Sequence, residues 1–199
     1  MSLEMRAFEL WWAELQVTEG IKANDKQDPG GPTLYGVSSA SFPEVYNLIA
    51  SAPVSERLAL VRNFYYNYYW CKYNRITNPR IRIEYCDTAV NCGDGNAALF
   101  AQRSCNLLAS GDVRRKRSHI DEDKDFGPKT VGEINYWSKV NDGYGAGCAL
   151  FKLMNLEQGM HYRHLATKSK NLERRKYFAV CLRGWTKRLQ DWHLEGLYV

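Results

Sequence analysis

The sequence predicts a mainly helical fold carrying one small β-hairpin, and three observations point there. Apolar residues recur at helical spacing through most of the 199 residues, clearest along 8–15, 56–70, 83–108, 148–165 and 173–192. One stretch breaks that rhythm with tight-turn chemistry: Asp28-Pro29-Gly30-Gly31-Pro32, with Leu34, Tyr35 and Val37 beyond it as a short strand. Directly ahead of this hairpin, Glu19 stands where the first helix runs out at Gly20.

The first helix sets the frame. Phe8, Trp11, Trp12 and Leu15 fall at offsets 0, 3, 4 and 7, one face of a helix. At about 100° per residue, Glu19 lies roughly 20° from Phe8, so it continues the inward face. A carboxyl set against aromatic surface loses hydration and keeps its proton nearer neutrality, as a general acid requires. Asp28 follows nine residues after Glu19 and Thr33 fourteen after. A hairpin folding back over the helix end gathers all three round one cleft. The same residues also read as a capped helix followed by an acidic, solvated turn.

These residues carry a resemblance. Glu19-Gly20, Asp28-Pro29-Gly30-Gly31-Pro32-Thr33 and Gly36 are similar to the signature of the lysozyme-like N-acetylmuramidases of glycosyl hydrolase family 108. That family includes proteins named secretion activators. Its pattern is Glu-Gly-Gly, a spacer, Asp-x-Gly-Gly-x-Thr, then x-x-Gly; Ile21 replaces the second Gly of the first triplet. The resemblance implies a lysozyme-like fold, with Glu19, Asp28 and Thr33 as catalytic residues and Tyr35 among those that contact substrate.

Beyond Gly36, residues 38–42 read as a turn into a short helix through 43–46. Ser51-Ala52-Pro53 opens a longer helix whose body is Glu56–Trp70. It ends in Phe-Tyr-Tyr-Asn-Tyr-Tyr-Trp, and six aromatics in seven residues cannot all face one core. For most of this run the reading is an aromatic core wall. Tyr69-Trp70 resembles the family's Tyr-Trp pair, which implies a cleft wall where flat rings stack on sugars.

Ile83–Leu108 reads as one strong helix. Within it Asp87-Thr88-Ala89-Val90-Asn91-Cys92-Gly93 is similar to the family's Asp-x-x-Val-Asn-x-Gly motif. The small residues Ala89, Gly93 and Gly95 suit close backbone approach. Asn91 is either structural or a donor to an N-acetyl group or to the catalytic carboxyl.

Ser110–Asp125 joins the basic run RRKRSH to the acidic IDEDKD, which reads as a solvated loop and a poor nucleic-acid patch. Gly127-Pro128-Lys129-Thr130 resembles the core of the peptidoglycan-binding-like segment that follows this catalytic domain. Gly143–Gly147 lacks dinucleotide spacing and reads as a flexible connector. Cys148–Leu165 and Glu173–Trp192 are the last two helices, and Gly184-Trp185-Thr186-Lys187-Arg188 resembles the family's Gly-Trp-x-x-Arg. His161 and His164, spaced i, i+3, have no evident third ligand, so no metal site is expected.

Bulk properties bound the rest. Apolar content of 45% and aromatic content of 13% exclude disorder, and the length suits one domain or two small ones. Formal net charge is +5 at pH 7, suited to an anionic partner without choosing one. The six Cys show no C-x-x-C pair or zinc spacing and read as buried free thiols. No stretch approaches the ~20 apolar residues of a membrane span, and the N-terminus lacks a secretory pattern.

The expectations are therefore these. The fold is mainly α and lysozyme-like, with a β-hairpin next to the catalytic Glu. A muramidase domain spans 1–93, and a helical peptidoglycan-binding-like segment spans 94–199. The function is hydrolysis of the β-1,4 bond between N-acetylmuramic acid and N-acetylglucosamine, serving protein secretion. The alternative is a non-catalytic wall-binding or secretion-activating protein. Glu19, Asp28 and Thr33 are the catalytic candidates; Tyr35, Tyr69, Trp70 and Asn91 are the substrate-binding ones. No cofactor is expected. Partners are peptidoglycan glycan strands and a holin or secretion machinery, with no nucleic acid and no stable membrane insertion. The protein is expected to be made in the cytoplasm without a signal peptide and to act on the cell wall, in the periplasm.

Overall fold

The computed structural model describes residues 1–19, 22–23, 32–112, 116–141, 145–168 and 171–187. The chain forms two compact units, Met1–Lys72 and Tyr73–Val199.

In the first unit, α1 (Leu3–Glu19) buries the stripe that its 3.6-residue period predicts: Phe8, Trp11, Trp12 and Leu15, with Ala7 beside them. A three-stranded antiparallel sheet follows, in the order β1 (Lys22–Ala23), β2 (Thr33–Leu34), β3 (Val37–Ser38). The sheet is one strand larger than a simple hairpin. β2 and β3 are joined by two residues, Tyr35 at φ 52° and Gly36 at φ 77°. Positive φ at both central positions is the type I′ geometry whose twist suits a two-residue hairpin. The sheet packs on α2 (Pro43–Ser51), with Leu34 and Val37 buried.

α3 (Val54–Phe64) runs directly into a π-helical turn, Tyr65–Trp70, closed by the Cys71 amide donating to the Tyr66 carbonyl at 2.9 Å. A π-turn advances about 80° per residue rather than about 100°. Tyr65, Tyr69 and Trp70 therefore share one face, where an α-helix would swing Trp70 well away from Tyr65. All three are buried, and Asn67 and Tyr68 face out. Trp70 stacks on Trp11 (centroids 6.0 Å, interplanar 28°), and Phe8 tilts against Trp70 at 5.7 Å. Arg62, ion-paired with Glu9, lies over the Phe8 ring. This aromatic cluster ties α1 to α3.

The second unit begins with a capped helix. Asn78 Oδ1 accepts from the amides of Arg80 and Ile81, and Pro79 fills N1 of α4 (Pro79–Cys92). Every residue from Ile81 to Ala89 is buried, including Arg82, Glu84 and Asp87. The single helix expected over 83–108 is in fact two. Gly93, at φ 84° and ψ 156°, ends α4 and starts α5 (Asp94–Gly111). Its amide closes the last turn on Ala89, and its carbonyl accepts from Asn96 and Ala97. A Cβ at Gly93 would meet nothing within 4 Å, so the glycine is there for its dihedral angles rather than for close approach.

α5 packs on α4, on α6 (Pro128–Trp137) and on α7 (Cys148–Lys168), and α8 (Leu172–Lys187) packs on α7. Where it is described, the charged segment before α6 is a pinned strap rather than a free loop. Asn106 exchanges two hydrogen bonds with the Ile120 backbone, both 2.9 Å. Arg117 pairs with the buried Glu133 carboxylate and lies over Tyr136. Buried Gln102 reaches Asp123 Oδ1, the Asp125 carbonyl and Thr130 Oγ1, and accepts from the Lys124 amide. The Gly-Pro-Lys-Thr run thus starts α6, with Pro128 at N1 and Thr130 holding the strap. The glycine-rich connector also has fixed edges: Asn141 bridges Ala146, and the Gly147 amide donates to Val140.

Candidate active site

The site expected from the sequence is built on the segment that leaves α1 and returns as β2. α1 stays helical through Glu19, its last residue. The Glu19 side chain lies outside the described residues, and so does Asp28. The frame on either side of them is described. Lys22 pairs with Leu34, and Ala23 with Thr33. Three residues of chain span at most about 11 Å, and cross-strand Cα partners lie about 5 Å apart. The β1–β2 pairing therefore returns Leu34, and Thr33 next to it, to within roughly 16–20 Å of the α1 terminus by backbone count alone. Thr33 sits on the central strand, opposite Ala23 on one side and Ser38 on the other, and is half-buried.

Tyr35 occupies the first position of the β2–β3 turn, not a strand as its sequence neighbours suggest. Its carbonyl accepts from the Tyr65 hydroxyl at 3.5 Å, and its half-buried side chain leaves the hairpin at the tip. Tyr65 thus tethers this hairpin to the aromatic cluster, a link that no sequence spacing signals.

Tyr69 and Trp70 need correcting as cleft-wall residues. Trp70 is 0% exposed and Tyr69 6%. Tyr69 stacks on Tyr65 at 5.8 Å, and Trp70 is enclosed by Phe8 and Trp11. Rings whose faces are already covered by protein rings have none to offer a sugar; the π register turns them inward. Of the run, Tyr68 is the exposed ring, with the Lys72 ammonium 5.2 Å from its centroid.

Asn91 belongs to the second unit. Its Nδ2 donates to the Asp87 carbonyl at 2.8 Å and to Asp87 Oδ2 at 3.1 Å, so the Asp and Asn of the motif brace each other one helical turn apart. Nearby, the Tyr73 hydroxyl donates to Asp94 Oδ1. Burial and then Asp94 push the Tyr73 phenol well above its ordinary value, which holds it as a neutral donor.

Residues 12–93 match the family described as Glycosyl hydrolase 108. The chain resembles glycosyl hydrolase family 108. The matched span contains α1 from Trp12, the sheet, the π-turn and the Asp87–Gly93 motif. Among solved structures, "Structure of Brucella abortus SagA" is similar over 93% of this chain and 95% of that chain, at TM-score 0.55 and 17% identity. At that identity the likeness speaks for the fold, which is mainly α and lysozyme-like with a small antiparallel sheet. No curated relative matches the sequence. The family whose model matches this span is one of glycosyl hydrolases.

Proposed function

We propose that the protein is an N-acetylmuramidase that hydrolyses the β-1,4 bond between N-acetylmuramic acid and N-acetylglucosamine in peptidoglycan. The observation that carries this reading is the family match over 12–93 together with Glu19 as the terminal residue of a helix whose apolar face is a closed aromatic core. In this reading Glu19 protonates the glycosidic oxygen as it leaves. Asp28, in the segment joining β1 to β2, orients or deprotonates water or stabilises the oxocarbenium charge. Thr33, on the strand that closes that segment, helps to hold the water. Tyr35 at the hairpin tip and Asn91 on α4 contact the glycan. Action on the cell wall and service to secretion belong to the same proposal, as does wall binding by residues 94–199.

Glu19→Gln tests it. The substitution keeps side-chain size but removes the dissociable proton, and general acid catalysis contributes ~10²–10⁴ in rate. Clearing of a peptidoglycan gel should fall by that factor, while sedimentation with peptidoglycan and the Tm stay unchanged. Lysis at the parent rate by Glu19→Gln would sink the assignment. A parent protein that binds peptidoglycan without clearing it would leave a binding role in its place.

A further inference from the structure

The α7–α8 hairpin carries a charge and surface pattern that the hydrolase reading does not use. Residues 148–187 hold nine Lys/Arg against two Asp/Glu, whereas the whole chain holds 27 against 22, so the other residues are acidic on balance. One of the two acids, Glu157, lies 3.5 Å from Arg103 on α5. The positive charge of the protein is therefore concentrated here.

On α7, Lys152, Leu156, Met160, Arg163 and Thr167 fall within about 80° of one another round the axis. Leu150, Phe151, Met154, Gln158 and Tyr162, on the opposite arc, are buried. Leu156 and Met160 are each 56% exposed, and Leu172 at the start of α8 is 54% exposed. Leu156 and Met160 border a groove of about 490 Å³ that runs from Lys152 to Arg163. An adjoining hollow of about 240 Å³ extends it to Lys168 and shares Met160 and Arg163 with it.

We propose that this face binds the surface of an anionic phospholipid bilayer peripherally. The cations match the phosphate-rich headgroup layer, and the long apolar side chains between them match the headgroup–acyl boundary just beneath. A nucleic acid would use the cations but gain nothing from an exposed Leu and Met; its platforms are exposed aromatic rings, whereas Phe151 in the groove is 1% exposed and the ring lining the adjoining hollow is the small imidazole of His164. No described helix is long and apolar enough to cross a membrane, so the contact lies along the surface. The proposal is independent of the muramidase reading and would hold with Glu19 inert.

The test is co-sedimentation of the full-length protein with vesicles of phosphatidylcholine alone or containing about one-third phosphatidylglycerol. Binding is expected only to the anionic vesicles and should weaken as salt rises. Arg163→Gln with Lys168→Gln should lower the partition coefficient about 25-fold, roughly fivefold per cation. Leu156→Ser with Met160→Ser, which leaves the charge unchanged, should lower it at least about tenfold. These side chains lie on the exposed face, so both variants should keep the parent Tm. No binding to anionic vesicles at low salt would overturn the proposal. So would undiminished binding by the Ser pair, or equal binding of parent and Ser pair to duplex DNA, which would make the face a general polyanion site.

Discussion

Gly93 and Lys124 both hold positive φ, at 84° and 65°. Gly93 combines its φ with ψ 156°, a region open essentially to glycine alone. Because a Cβ there touches nothing within 4 Å, the cost of Gly93→Ala is purely conformational. We expect a loss of about 1–3 kcal/mol in urea unfolding. Lys124 sits in the left-handed helical region, where a side chain costs roughly 1–2 kcal/mol. Its amide bond to Gln102 does not need the side chain. Lys124→Gly should relieve that strain, offset in part by the added freedom of the unfolded chain, for a net gain of about 0.5–1 kcal/mol. If both variants move stability in the same direction, the backbone reading of this unit is wrong.

Elements show why some of the fold was legible in sequence and some was not. The α1 stripe was legible because a 3.6-residue period and four large apolar side chains leave one inward face, and all four are buried. The break at Gly93 was hidden because helix-forming residues continue on both sides, so only the dihedral angles distinguish a bend from a tolerated glycine. The strap before α6 was hidden because its anchors, Gln102 and Asn106, lie about twenty residues away or less on another element. The π-turn is the clearest case. The choice between 80° and 100° per residue is made by the packing of Tyr65 and Trp70 on α1, with Tyr69 stacked on Tyr65, which no local pattern encodes. Trp70→Ala should therefore act as a core deletion, costing about 3–5 kcal/mol. At temperatures where the variant is still folded, its affinity for peptidoglycan should match the parent's. Weaker glycan binding with unchanged unfolding would return Trp70 to the cleft wall.

At the scale of the whole molecule, the sequence reading of six unlinked thiols has a structural counterpart that can be measured. Cys86, Cys105 and Cys148 are buried, while Cys71, Cys92 and Cys181 are half-buried. Burial pushes the Cys86 and Cys105 thiols well up from the ordinary value; for Cys86 the guanidinium of Arg82 pulls the other way but does not win. The thiolate is the reactive form, so these two sulfurs are protected by inaccessibility and by protonation together. Neither unit depends on a cross-link, because each has its own aromatic or helical core: Trp11 and Trp70 in one, Tyr73, Tyr85, Phe100 and Phe151 in the other. A structural disulfide would contribute typically ~2–4 kcal/mol, lost on reduction. We expect the Tm to be the same with and without reductant. Intact-mass analysis after brief alkylation of the folded protein should show no label on Cys86, Cys105 or Cys148. Alkylation in denaturant without reductant should add all six labels. Fewer than six, or a Tm that falls when reductant is added, would mean that a cross-link supports the fold and that the cysteines pair.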